Sequence, residues 1–131
     1  MTTHSGDASV HIADFGSAVK LQLASDTSNF RIGTPGYTAP EVIRGEHYGL
    51  SCDIWSVGVL MYGLLTNNLP FYSRDRSEMK RRTCTEPLDL NNNMFLKILS
   101  EPAKDLLSGM LRKDPQERLT VEQVLAHQWF Q

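Results

Sequence analysis

Ser51-Cys52-Asp53-Ile54-Trp55-Ser56-Val57-Gly58-Val59-Leu60-Met61-Tyr62-Gly63-Leu64-Leu65 is the stretch on which the fold turns. A serine followed two positions later by a carboxylate suits a helix start, since the positive end of a helix favours an acid. Ser51 is therefore expected to cap a helix running to about Leu65. Its apolar residues cover nearly every face and not one stripe, so this helix should be buried on all sides and sit at the centre of a helical unit.

Around it the pattern is also helical. Pro40 suits the first turn of a short helix to about Arg44. After the Asn67-Asn68-Leu69-Pro70 break, Asp75 and Glu78 are spaced as a capping box for a helix to about Thr83. Asn91-Asn92-Asn93 marks a loop, and Ser100 caps a helix over about 101–111. Thr120 and Gln123 repeat the capping-box spacing and open a last helix through about His127. Towards the N-terminus, residues 1–9 read as loop, and Val10-His11-Ile12-Ala13 reads as a short strand closed by a turn at Asp14-Phe15-Gly16. Residues 17–38 are polar and aperiodic, a loop long enough to suggest a functional role.

Composition narrows the class. The 131 residues carry 13 basic and 15 acidic side chains, a formal net charge of −2, which points away from nucleic acid and membrane surfaces as partners. No apolar run is long enough to cross a bilayer, and the first dozen residues lack a signal-peptide core. Cys52 and Cys84 have neither metal-ligand nor disulfide-framework spacing and read as reduced thiols. His4, His11, His47 and His127 lack a ligand pattern. An intracellular, cytoplasmic protein is expected.

Four motifs follow in order: Asp14-Phe15-Gly16, then Gly33-Thr34-Pro35-Gly36-Tyr37-Thr38-Ala39-Pro40-Glu41, then Asp53-Ile54-Trp55-Ser56-Val57-Gly58, then Asp114-Pro115-Gln116-Glu117-Arg118-Leu119-Thr120. One tripeptide alone is weak evidence; the ordered set resembles the eukaryotic Ser/Thr protein kinase domain over the whole chain, from just before its Asp-Phe-Gly turn to its end. Gly33-Thr34-Pro35-Gly36-Tyr37, Leu69-Pro70-Phe71-Tyr72 and Ala103-Lys104-Asp105-Leu106-Leu107 look most like the calcium/calmodulin-dependent kinase group.

The resemblance implies a mainly α fold: the incomplete C-terminal lobe of a kinase domain, with one short N-terminal strand. It divides 1–131 into a strand and Asp-Phe-Gly turn (1–16), an activation segment (17–41) and a helical lobe (42–131). The complete domain would use Mg2+ and ATP to phosphorylate Ser or Thr of a protein substrate. Asp14 would hold the magnesium of Mg-ATP, with Phe15 packed inside and Gly16 giving the turn its freedom. Thr34 would line the cleft and hydrogen-bond toward the catalytic loop. Glu41 would pair with Arg118, a structural tie, and Asp53 would accept hydrogen bonds from the catalytic-loop backbone. Ser25, Thr27 and Ser28 are candidate phosphosites; Phe30 stands where many relatives carry the activating one. Gly63 stands where some relatives place a substrate-reading Glu.

The Gly-rich loop, the Lys–Glu pair and the His-Arg-Asp catalytic loop of the family are not among these residues. The expectation is a chain that binds neither magnesium nor ATP by itself and does not catalyse. It should expose apolar surface where the central helix meets the rest of a domain, with self-association as a consequence. A non-catalytic binding module, presenting the helices near 73–83 and 101–111 to a partner, is the alternative. Lys80-Arg81-Arg82 could dock an acidic partner, although a charge run on a helix is more often a solvated face.

Overall fold

A computed structural model describes residues 10–21, 26–28, 33–90 and 94–131. Its helices are α1 (Pro40–Arg44), α2 (Ser51–Thr66), α3 (Arg76–Thr85), α4 (Met94–Lys97), α5 (Glu101–Met110) and α6 (Val121–Leu125), with 3-10 turns at Phe15–Ser17 and Gln128–Phe130. The unit is mainly helical, and the only β pairing among the described residues is a single bridge between Ser28 and Tyr48.

Capping explains most boundaries. Pro40 opens α1, and Gly45 closes it in the left-handed conformation. The Asp75 carboxylate accepts from the Glu78 N–H at 2.7 Å, and the Ser100 hydroxyl accepts from the Ala103 N–H at 3.4 Å. At α6 the reciprocal box forms in full: the Gln123 N–H donates to Thr120 Oγ1 at 3.3 Å, and the Thr120 N–H to Gln123 Oε1 at 2.8 Å.

Three local expectations change. Val10–Ala13 forms no strand; a strand needs a neighbour to pair with, and no described segment pairs with it. Leu50, not Ser51, is the N-cap of α2, which begins from a turn in which the Cys52 and Asp53 N–H groups donate to Gly49 and Leu50 carbonyls. α6 ends at Leu125, where Ala126 and His127 leave the helix.

α2 is the axis of the core. Trp55 and Val59 join Ala39, Val42, Phe71 and Leu111 in one buried cluster; one turn further along, Tyr62 meets Leu96 and Leu107 in a second. α5 crosses α2 closely at Gly58, where a Cβ would stand 3.0 Å from both Met110 Cβ and Leu111 Cδ2. Burial is one-sided, however. Val57 and Leu60 are 50% exposed and Leu64 80%, so an apolar face of α2 meets solvent opposite the packed one. The all-round apolar helix is thus buried on one face only within these residues, and the expected exposed apolar surface is present.

Candidate functional site

The residues of the four motifs fall into two regions that both include residues of α2. The first is an interior hub. Arg118 and Glu41, 77 residues apart in sequence, form a two-pronged pair, NH1–Oε1 2.7 Å and NH2–Oε2 2.9 Å. Both side chains are essentially inaccessible. A buried ion pair repays its desolvation only when the remaining donors are also satisfied. Here Arg118 Nε donates to the Arg112 carbonyl at 3.1 Å, and NH1 also to the Ser51 carbonyl at 2.8 Å. The guanidinium lies 5.2 Å from the Trp55 ring centroid, and Trp55 stacks on Phe71 at 5.8 Å. One side chain thereby ties together the start of α1, the start of α2 and the loop before α6.

Lys113 completes the hub. Its ammonium sits 3.4 Å from the Phe71 ring centroid and donates to the Thr83 carbonyl at 2.7 Å, joining the end of α3 to the core. Burial pulls this lysine down to about 8, the desolvation of the charge outweighing nearby acids. Sequence reasoning missed Lys113; the signal lay in its place between Arg112 and Asp114 of the last motif, but the aromatic neighbours come from other elements.

The second region is an open groove of about 800 Å3 whose lining includes Asp14, Thr34, Tyr37, Asp53 and Ser56. Three candidates that are far apart in sequence, Asp14, Thr34 and Asp53, therefore share one wall system. Ser56 fastens it: its hydroxyl donates to the Tyr37 carbonyl at 3.0 Å, holding the segment before α1 against α2. Thr34 contributes its carbonyl to a tight turn, accepting from the Tyr37 N–H at 3.1 Å and the Thr38 hydroxyl at 3.0 Å. Asp53 accepts from the Cys52 thiol at 3.7 Å. Burial, with Asp53 and Glu41 adding to it, pushes that thiol up to about 12, so Cys52 stays protonated and is no nucleophile.

Asp14 occupies the left-handed region at φ 63°, ψ 67°, a conformation Asp tolerates better than most residues. The unusual backbone in this turn is thus that of Asp14; Gly16 is not among the glycines with positive φ. Phe15, expected inside, is 69% exposed. Residues 10–20 are exposed throughout, and Phe15 has no apolar pocket to enter among them.

Of the candidate phosphosites, Thr27 is exposed with Oγ1 3.5 Å from His47 Nδ1. Ser28 exchanges backbone hydrogen bonds with Tyr48, 2.8 Å each way. Ser25 and Phe30 lie outside the described residues. Among the described residues no three His, Cys, Asp or Glu side chains gather as a metal site, and no helix is long and apolar enough to cross a membrane.

Comparison with known proteins agrees with the motif order. The protein kinase domain family matches residues 1–130. Similar curated proteins include MAP kinase-activated protein kinase 2 of Drosophila melanogaster, 39% identical over 98% of this chain and 36% of its own length. Calcium-dependent protein kinase 12 of Arabidopsis thaliana is 40% identical over 95% of this chain and 25% of its own. Human calcium/calmodulin-dependent protein kinase type 1B is 36% identical over 95% and 35%. The chain thus spans between a quarter and about a third of the length of these relatives. On its ordered motifs, its helical architecture and these matches, the chain belongs to the protein kinase domain family and is most similar to kinases of the calcium/calmodulin-dependent group.

Proposed function

We propose that these residues form the activation segment and helical lobe of a Ser/Thr kinase that transfers the γ-phosphoryl group of ATP to protein hydroxyls. The observation that carries this is the convergence of Asp14, Thr34 and Asp53 on one groove, in a chain matched to the kinase family over 1–130. The division into turn (1–16), segment (17–41) and lobe (42–131) follows the same boundaries.

Asp14 is a hard oxygen donor on an open groove and suits magnesium, which neutralises phosphate charge when bound with the nucleotide. Magnesium takes few protein carboxylates and completes its shell with phosphates and water, so a single Asp fits as one ligand but does not make a site. Asp53 and Thr34 serve as positioning groups on the walls, and Glu41–Arg118 holds the lobe to the segment. Thr27, exposed beside His47, and Ser25 and Ser28 are the proposed modification positions.

By themselves residues 1–131 offer one metal ligand, and no kinase catalytic loop can be read in their sequence. The inference is that the isolated chain does not catalyse. Purified residues 1–131, incubated with labelled ATP, magnesium and a generic protein substrate, should transfer no label; ATP- and magnesium-dependent transfer would overturn this. The second reading is a non-catalytic binding module that presents the helices near 73–83 and 101–111 to a partner, whereas the exposed Val57–Leu60–Leu64 face is what the partial-domain reading expects. A stable monomer that binds no apolar dye would favour the module, and concentration-dependent sedimentation that Leu60→Lys abolishes would favour the partial domain.

A further inference from the structure

The chain leaves α6 at Leu125 and closes with the 3-10 turn Gln128–Phe130, and one side chain shapes that ending. His127 is the N-cap of the turn: its ring Nδ1 accepts from the Trp129 N–H at 3.2 Å, a role more often taken by Ser, Thr, Asp or Asn. The other ring nitrogen, Nε2, stands 3.3 Å from Asp105 Oδ2 on α5. The His127 side chain is only 12% exposed, so these partners, more than water, decide where its protons sit.

The two contacts leave one arrangement for the neutral ring. An ionised carboxylate only accepts and a backbone N–H only donates, so Nε2 carries the hydrogen and Nδ1 the lone pair. A second proton can enter only at Nδ1, where the Trp129 N–H already points. Two donors then face each other and the cap is lost. Nε2–H meanwhile still donates to Asp105, now as a charge-assisted bond. Asp105 therefore holds the ring against α5 in both states, and the Trp129 N–H alone registers the proton.

Few other charges bear on the ring. On α5, Lys104 is paired with Glu101 at 2.8 Å. On α6, the Glu122 carboxylate is turned to its own N–H and to Thr120. Among the described residues Asp105 is thus the charged group that meets the imidazole. The turn itself is aromatic: Trp129 and Phe130 pack edge to face at 4.8 Å, and both are exposed. Besides the cap it is held by two backbone bonds, from the Phe130 N–H to the His127 carbonyl at 3.0 Å and from the Gln131 N–H to the Gln128 carbonyl at 3.2 Å. A single lost bond is therefore a large share of what closes it.

We propose that His127 is a proton-operated latch on the closing turn: protonation at Nδ1 uncaps Trp129 and lets Gln128–Phe130 open, while Asp105 keeps the imidazole on α5. Imidazole is the side chain that changes charge between about pH 5 and 8, so the latch is closed toward the alkaline end of that range and opens as pH falls. It acts without nucleotide or metal and stands or falls separately from the kinase reading.

The test is NMR on 15N-labelled residues 1–131. At about pH 8 the His127 ring should show a protonated Nε2 and a bare Nδ1. On lowering the pH to about 5.5, the Trp129 amide should lose about fivefold in protection from hydrogen exchange, corrected for intrinsic rates, as expected for one ordinary hydrogen bond. His127→Asn, which still caps but does not titrate in this range, should keep Trp129 equally protected at both pH values. Asp105→Ala, which frees the ring, should lower the protection already at the higher pH. The wild-type response should persist when Gly-Gly is appended to Gln131, which moves the terminal carboxylate away from the turn. Circular dichroism checks that the helices survive in each variant. A bare Nε2 at the higher pH, a Trp129 amide indifferent to pH or to Asp105→Ala, an unchanged pH response in His127→Asn, or its loss in the extended chain would overturn the proposal.

Discussion

The Glu41–Arg118 hub and the Asp14 groove are built from motifs of the same family, yet they differ in how far their own residues complete them. In the hub the charges, aromatic rings and carbonyls close on one another. Glu41 is 0% exposed and Arg118 4%, with both prongs and the Nε engaged. In the groove the backbone is fastened by the Ser56 and Thr38 hydroxyls, but the carboxylates do not close on a cation: Asp14 sits in an exposed stretch, and Asp53 meets a neighbouring thiol. A buried charge must be satisfied for the fold to exist, whereas a charge that meets a ligand has to remain open. The contrast separates what holds this lobe together from what it offers to chemistry.

The largest effect that could break this contrast is expected at the hub. Arg118→Ala strands a buried carboxylate, and Glu41→Ala a buried guanidinium; each should cost about 3–5 kcal/mol, read as a lost or strongly lowered urea midpoint. Asp14→Asn should change stability by no more than about 0.5 kcal/mol, as an exposed residue with no packing to lose and a replacement that tolerates the same left-handed backbone. Comparable losses at Asp14 and Arg118 would erase the distinction.

Gly58→Val comes next. Its side chain would press on Met110 and Leu111, whose atoms already stand at 3.0 Å from an added Cβ, for a cost of about 1–3 kcal/mol by thermal melt. Thr120→Ala, which dismantles the α6 box, should cost about 1 kcal/mol.

The pH dependence sharpens the picture of Lys113. Its folded value of about 8 lies below the ordinary 10.5, so between these the unfolded chain holds a proton that the folded chain has released. Stability should therefore rise with pH from about 8 upward. The Cys52 thiol, raised from 9.0 to about 12, acts in the opposite direction above pH 9. The clean window is thus pH 8 to 9, and in urea melts Lys113→Met should abolish the rise there. The smallest effect is at Glu78, whose depressed value of about 2 adds stability above 4.5 that is lost as pH falls. Because its arginine partners lie at the surface, this contribution should fade in high salt.

Much of the hub was legible in sequence because its parts are motif residues with fixed chemistry: a carboxylate after Pro40, and an arginine four residues after Asp114. The caps at Asp75, Ser100 and Thr120 were legible because a cap is a local hydrogen bond between residues three apart. What escaped depends on elements distant in sequence. Lys113 over Phe71 needs two loops brought together, and α4 is a four-residue helix whose buried Leu96 is recruited by Tyr62 and Leu107. Val10–Ala13 alternates like a strand, but alternation supplies no pairing partner. Ser51 failed as a cap for a related reason: the preceding Gly49–Leu50 turn already starts the helix. The groove was legible as a set of residues and not as a shape, and the outward Phe15 could not be read from the tripeptide.

The central proposal is that Asp14 serves as a magnesium ligand in a complete kinase domain, while Glu41–Arg118 holds the fold together. The direct test is a chimaera in which residues 1–131 replace the matching part of a calcium/calmodulin-dependent kinase, assayed for phosphoryl transfer and thermal stability together. Asp14→Asn should abolish transfer with the melting temperature unchanged. An Asp14→Asn chimaera that transfers phosphate at the parent rate would contradict the account.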